Sequence, residues 1–263
     1  MKTYLMDDPR EALRLINKVD AKEWCAKYIA SHLTQGGSFL DVGCGPGHIL
    51  AEVYREHPST FLYGVDISEE RLGLARRALP VGAATRFYKA DIESLPLPDN
   101  LVNCVFSRFL LEYVREKQQA VDELARVTSP GGTVILQDLD SQFLSYYPNE
   151  DDVDAEIIGL LRSLEVTGFD PNVGRKLFTF AKRAGLQNIR VQVEPYHLYQ
   201  GPPNESHMRA WRLKFDIATK ALAQGSGRSE AAIRQLTDRY LALLERPDNF
   251  FYSILVTVTC TKE

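Results

Sequence analysis

The chain is poor in the features that mark several functional classes. It has four cysteines in 263 residues (Cys25, Cys44, Cys104 and Cys260), none of them in a C-x-x-C pair or beside a histidine cluster. That spacing argues against a disulfide framework and a zinc site, and predicts buried free thiols in a reducing cytoplasm. No metal site is expected. Basic excess is missing too: 31 Lys and Arg against 35 Asp and Glu give a formal net charge of −4. Nucleic-acid binders usually carry a basic footprint, so no nucleic-acid partner is expected. No window approaches the roughly 18 apolar residues of a membrane span. The apolar-rich stretch 101–114 is interrupted by Asn103, Ser107, Arg108 and Glu112. The first residues, Met1-Lys2-Thr3-Tyr4, show no apolar signal core. No membrane partner is expected.

What is present is an alternating pattern. Leu13, Ile16 and Val19, then Trp24, Tyr28 and Ile29, recur at helical spacing across 5–33 and predict two helices around Asp20. Strands are expected at 38–42, 61–65, 87–90, 101–107 and 133–137, with helices after residue 47, over 68–79 and over 118–127. Ser68 is a good N-cap, with Glu69 and Glu70 in the first turn. After Asp140 the composition changes. Helices are expected to about 166 and over 173–184, a strand at 189–193, helices at 205–223 and 229–246, and a closing strand at 250–259. Such alternation predicts an α/β fold: a doubly wound, mostly parallel seven-stranded sheet with a helical insertion. Ligands in such folds bind at the carboxyl ends of the strands, where Gly43 to Gly47, Asp66, Asp91, Ser107 and Asp138 stand.

The main motif is Asp41-Val42-Gly43-Cys44-Gly45-Pro46-Gly47. Its glycines permit a tight turn and close approach of a ligand. The G-x-G-x-G spacing departs from the G-x-G-x-x-G loop that cradles a pyrophosphate. Asp41 would sit badly beside a pyrophosphate and well beside a cation. Cys44 reads as filler in the loop. Asp66 ends the second strand, where an acidic residue can bind both ribose hydroxyls of a nucleoside. Ser68 can cap the next helix, which would leave Asp66 free. Asp91-Ile92 follows the third strand: a carboxylate there can accept from an adenine amino group, and the adjacent N–H can donate to a ring nitrogen.

These residues resemble the class I S-adenosylmethionine-dependent methyltransferases, and within them the small-molecule group of ubiquinone/menaquinone-biosynthesis and secondary-metabolite tailoring enzymes. The resemblance is carried by Phe39-Leu40-Asp41-Val42-Gly43-Cys44-Gly45-Pro46-Gly47, Gly64-Val65-Asp66-Ile67-Ser68, Ala90-Asp91-Ile92-Glu93-Ser94-Leu95-Pro96, Ser107-Arg108-Phe109-Leu110-Leu111-Glu112, and Leu124-Ala125-Arg126-Val127 with Pro130-Gly131-Gly132. It covers roughly 35–140. One departure is Val102-Asn103, where the family often has Phe-Asp. Tyr4-Leu5 with 11–15, and Gly168-Phe169-Asp170 with 174–177 and 184–186, match more weakly.

The resemblance implies a Rossmann-like fold with an antiparallel final strand, S-adenosylmethionine as cofactor and S-adenosylhomocysteine as product. It implies an N-terminal helical cap over 1–34, a cofactor-binding core over 35–140, and a lid with the last strands over 141–263. Gly43, Cys44, Gly45 and Gly47 would line the methionine and ribose portion, with Asp41 near the amino group. Asp66 and Ile67 would meet the ribose, Asp91 and Ile92 the adenine, and Ser107, Arg108 and Phe109 the methionyl end. Arg14 would reach the carboxylate. The acceptor would be a small molecule, in a pocket over the ends of strands four and five. Phe143, Tyr146, Tyr147, Phe169, Tyr196, Tyr199, Trp211 and Phe215 read equally as a lid over a ring-bearing acceptor and as the core of a helical subdomain. His197 is the general-base candidate by type; Asp138 and Asp140 are expected to face the site. The expected protein is a cytoplasmic monomer or homodimer. RNA or protein methylation, and a noncatalytic or cyclase-type use of the cofactor, are the competing readings.

Overall fold

The computed structural model describes Met6, Asp8, residues 10–16 and residues 19–263; the expected match at Tyr4-Leu5 lies outside these. Two helices precede the sheet, α1 (Arg10–Ile16) and α2 (Ala21–Tyr28). Asp20 caps α2 by accepting from the backbone N–H of Lys22 and Glu23. The strands are β1 (Ser38–Val42), β2 (Phe61–Asp66), β3 (Thr85–Lys89), β4 (Val102–Arg108), β5 (Thr128–Asp140), β6 (Tyr146–Tyr147), β7 (Gln187–Gln200) and β8 (Phe250–Thr261). Between them lie α3 (His48–Glu56), α4 (Glu69–Ala78), α5 (Lys117–Val127), α6 (Asp151–Leu164), α7 (Leu177–Arg183), α8 (Glu205–Ser226) and α9 (Glu230–Leu244).

The sheet runs β3-β2-β1-β4-β5-β8, with β7 on the outer side of β8 and the two-residue β6 also pairing with β8. Pairs among β1 to β5 are parallel, and β8 is antiparallel to β5, β6 and β7. Seven long strands and an antiparallel last strand match the expected architecture. The strand expected at 189–193 is far longer. It runs through Pro195, which pairs with Ile254, and the register shifts just after it, leaving Tyr196 outside the ladder as a bulge.

Alternation along the strands sorts two cores. Leu40, Val42, Val105 and Leu136 pack on one face with Val121 and Leu124 of α5 and Leu177 of α7. Phe39, Phe106 and Ile135 pack on the other with Ile49, Leu50 and Val53 of α3 and Leu72 of α4. A third cluster joins Phe143, Tyr146, Phe169, Trp211 and Phe215 to Tyr240 and Phe251. Most aromatic rings of the insertion are thus the core of a helical subdomain, packed edge-to-face or tilted on one another at 5.7–6.4 Å. Tyr196 is not in it, and Tyr147 is exposed. Asn103, the departure noted above, is occupied at the amino ends of the strands, away from the carboxyl ends: its Oδ1 accepts from Ser38 N and Oγ, tying β4 to β1.

Candidate active site

Where β1 ends, the chain turns back under β2. Gly43 N and Cys44 N both donate to Val65 O, at 2.8 and 3.0 Å, which pins the turn to the neighbouring strand. Gly45 adopts φ +54°, a left-handed conformation that costs an L side chain about 1–2 kcal/mol. Gly47 starts α3 at φ +80°, and a Cβ there would lie 2.6 Å from Ala75 Cβ. The third glycine therefore permits α3 and α4 to close together. It is absent from the cavity wall, which corrects the expectation that Gly47 lines a ligand.

A cavity of about 700 Å³ opens at this turn. Gly43, Cys44 and Gly45 meet it from β1, Asp66, Ile67 and Arg71 from β2 and α4, and Asp91 and Ile92 from the loop after β3. Arg108 and Phe109 meet it from the end of β4. The expected glycine turn and both expected carboxylates share one wall. Asp66 is not free, however. Its Oδ2 accepts from Gly45 N at 2.9 Å, and its Oδ1 from Ser68 N at 2.8 Å and Arg71 Nε at 3.1 Å. Ser68 does cap α4, accepting from Arg71 N. Asp91 Oδ1 accepts from Glu93 N at 3.1 Å, which fixes the loop that presents Ile92.

The other end of the cavity is electrostatically loaded. Asp41 is buried one layer behind the wall, and burial pushes its carboxyl up to about 7; the Arg108 guanidinium opposes that rise and Asp66 adds to it. Arg108 Cζ lies 4.9 Å from the centroid of the Trp24 ring and 5.3 Å from that of Phe109. Its Nη2 is 3.4 Å from Nε2 of His48, whose pKa falls to about 4 through burial and the same guanidinium. Three buried polar atoms here have no hydrogen-bond partner among the described residues: His48 Nδ1, Ser107 Oγ and Arg108 Nη1. Unpaired buried donors and acceptors are costly; His48 and Arg108 are on the cavity wall, with Ser107 next to Arg108 in the chain, and the pair suits a polar ligand group. Phe109 takes φ +52°, a strained conformation for a bulky residue. Its ring packs at 5.2 Å on Tyr196 and 6.0 Å on Trp24. Cys44 is buried, and burial holds its thiol well above the usual range, which disfavours the reactive thiolate.

Residues 40–136 match a family described as a methyltransferase domain. An uncharacterized methyltransferase of Schizosaccharomyces pombe is 30% identical over 190 residues, covering 65% of this chain and 68% of that protein. The chain belongs to the class I S-adenosylmethionine-dependent methyltransferases. The ubiquinone/menaquinone biosynthesis C-methyltransferase of Geobacter sulfurreducens is 32% identical over 107 residues, 39% of this chain; this chain spans 42% of that relative's length. Among solved structures, phosphoethanolamine N-methyltransferase 2 of Haemonchus contortus in complex with S-adenosyl-L-methionine has a TM-score of 0.60 at 17% identity. That match covers 96% of this chain and 56% of the other, and is a likeness of fold.

In this methyltransferase several expected site residues lie elsewhere. Asp138 and Asp140 line none of the cavities described. Asp138 is fully buried and accepts from the backbone N–H of Glu112 and Leu139. Asp140 is bound by the Arg175 side chain and backbone N–H. Both carboxylates brace the end of β5, which corrects the expectation that they face the site. Arg14 forms a buried pair with Glu11 at 2.6 Å and sits on the wall of a second cavity, not on the first. His197 is also on that second wall, its Nδ1 2.7 Å from Ser253 Oγ. Sequence reasoning missed Arg71, His48, and the segments at Val114-Arg115 and Val166-Thr167, which close the first cavity from outside. Lys117 staples those two segments, its Nζ donating to Val114 O and Gly168 O at 2.6 Å each.

Proposed function

We propose that this methyltransferase methylates a small, ring-bearing metabolite, binding its donor in the larger cavity and its acceptor in the neighbouring one. One observation carries the reading: the Gly43–Gly45 turn, Asp66 and Asp91-Ile92 border one cavity. Its volume lies within the range of roughly 300–1,000 Å³ typical of small-ligand sites. The residues fit a nucleoside with a charged tail. Asp66 would take the ribose, beside Ile67, and Asp91 and Ile92 the adenine. Gly43, Cys44 and Gly45 would lie along the methionine portion. The unpartnered Arg108 Nη1 suits the tail carboxylate, the role expected of Arg14, while Asp41 suits the amino group from behind the turn. Ser107 and Phe109 would bound the methionyl end.

Bound S-adenosylmethionine supplies an electrophilic methyl group on a sulfonium. The chain's own contribution is position and dryness. Phe109 lines the larger cavity and Trp24 and Tyr196 the neighbouring one, and the three rings pack on one another where they would keep water from the bound reactants. The second cavity is about 470 Å³ and is walled in part by Trp24, Tyr196, Tyr199 and Trp211, which suits a flat acceptor. Of the three expected catalytic residues, His197, the general-base candidate, alone is on that wall, and it would serve a hydroxyl acceptor.

The test is incubation with methyl-tritiated S-adenosylmethionine, a metabolite extract, total RNA and protein. Label in the small, solvent-extractable fraction supports the reading. Label in acid-precipitable RNA or protein, or cofactor binding with no transfer at all, overturns it in favour of a macromolecular substrate or a noncatalytic role.

A further inference from the structure

The wall of the second cavity carries charges of both signs, its carboxylates being Asp20, Glu23 and Glu194. Three lysine and arginine side chains reach its wall: Arg14, Lys27 and Lys214. Arg14 is paired with Glu11, and Lys27 with Glu194, which also accepts from Tyr28 Oη. Asp20 spends its carboxylate capping α2. Lys214, on α8, meets no carboxylate within ion-pair distance among the described residues. Its Nζ lies 4.9 Å from the centroid of the Phe143 ring and 5.2 Å from that of Trp211. Its one hydrogen bond goes to Gln142 Oε1 at 3.3 Å. The amide of Gln142 is in turn held by Glu112. A half-buried ammonium with one long hydrogen bond has protons left to spend on a ligand at this wall. The aromatic faces attract the cation, and two of its three protons stay unspent.

We propose that Lys214 is a specificity residue that pairs with an anionic group on an aromatic acceptor, so that the second cavity selects aromatic carboxylates over their neutral isosteres. The proposal rests on the methyltransferase reading above and sharpens its substrate class. Tryptophan and tyrosine rings take the flat body, and the ammonium takes the carboxylate in a charge-assisted hydrogen bond. Burial lowers the Lys214 pKa to about 8, against the opposing pull of Glu112, so the side chain is a cation at neutral pH.

The chain has two tryptophans, Trp24 and Trp211, and both stand on this wall, so their fluorescence reports its occupancy. The probes are 4-hydroxybenzoate and 3-hydroxy-2-naphthoate, each against its amide, with S-adenosylhomocysteine present. At least one acid is expected to bind the wild type about tenfold or more tightly than its amide. Lys214→Met is expected to bring that ratio near one, and Lys214→Arg to keep most of it. Ratios near one for both pairs in the wild type, including no binding of any probe, overturn the proposal, as does a ratio that survives in Lys214→Met. Calorimetry with S-adenosylhomocysteine on the same samples separates the two levels. Cofactor-product binding without acid preference sinks this inference alone, whereas its absence in the wild type sinks the reading beneath it.

Discussion

Asp66 carries more than the one role its position suggests. Its carboxylate ties Gly45 to β2, holds Ser68 and pairs with Arg71, so ribose hydroxyls would join an already ordered group. Asp66→Ala is expected to weaken S-adenosylhomocysteine binding by about 1–3 kcal/mol, roughly 5- to 150-fold, in calorimetry; unchanged affinity removes the ribose assignment. Capping logic finds Ser68 from the sequence because a cap is local. It cannot find Arg71 or Gly45 as partners of Asp66, because both contacts depend on how α4 and the turn fold back. Asp41 makes a second case. A carboxyl raised to about 7 in the folded state, from 3.8 when free, binds more protons folded than unfolded. Stability is therefore lost as pH rises through the window between those values, by up to about 4 kcal/mol. Asp41→Asn is expected to gain stability relative to the wild type from pH 5 to pH 8 in urea unfolding, and to weaken S-adenosylhomocysteine binding. A relative loss of stability over that range contradicts the account.

Elements were legible where local signals agree. The cap at Ser68 and the apolar runs at 38–42 and 61–65 place α4, β1 and β2 within a residue or two. β7 runs well past the strand expected at 189–193, and only its pairing with the partner strand β8 shows that it continues through Pro195 with a register shift at Tyr196. The segment Glu165–Thr167 carries no sequence signal for the site, yet Val166 and Thr167 close the first cavity against Val114 and Arg115. Lys117 holds that closure through two carbonyls. Lys117→Met is expected to weaken S-adenosylhomocysteine binding severalfold and to raise amide hydrogen exchange at 113–115 and 165–168. Exchange unchanged at both segments argues that the staple is dispensable.

At the scale of the molecule, two sheet cores and one helical core meet where the cavities lie. The sheet order brings the ends of β1, β2 and β4 side by side, which is why residues far apart in sequence border one space. The helical core explains why the aromatic insertion was ambiguous: rings that pack on each other and rings that face a ligand look alike in composition. Among the described residues no helix is long and apolar enough to cross a membrane. The account predicts that S-adenosylhomocysteine binds the purified chain at one site per chain in isothermal titration calorimetry. Asp66→Ala should weaken that binding roughly 5- to 150-fold, as above, and Arg108→Met about tenfold or more. A wild-type chain that gives no binding heat at several temperatures and no thermal stabilisation by saturating S-adenosylhomocysteine would contradict it.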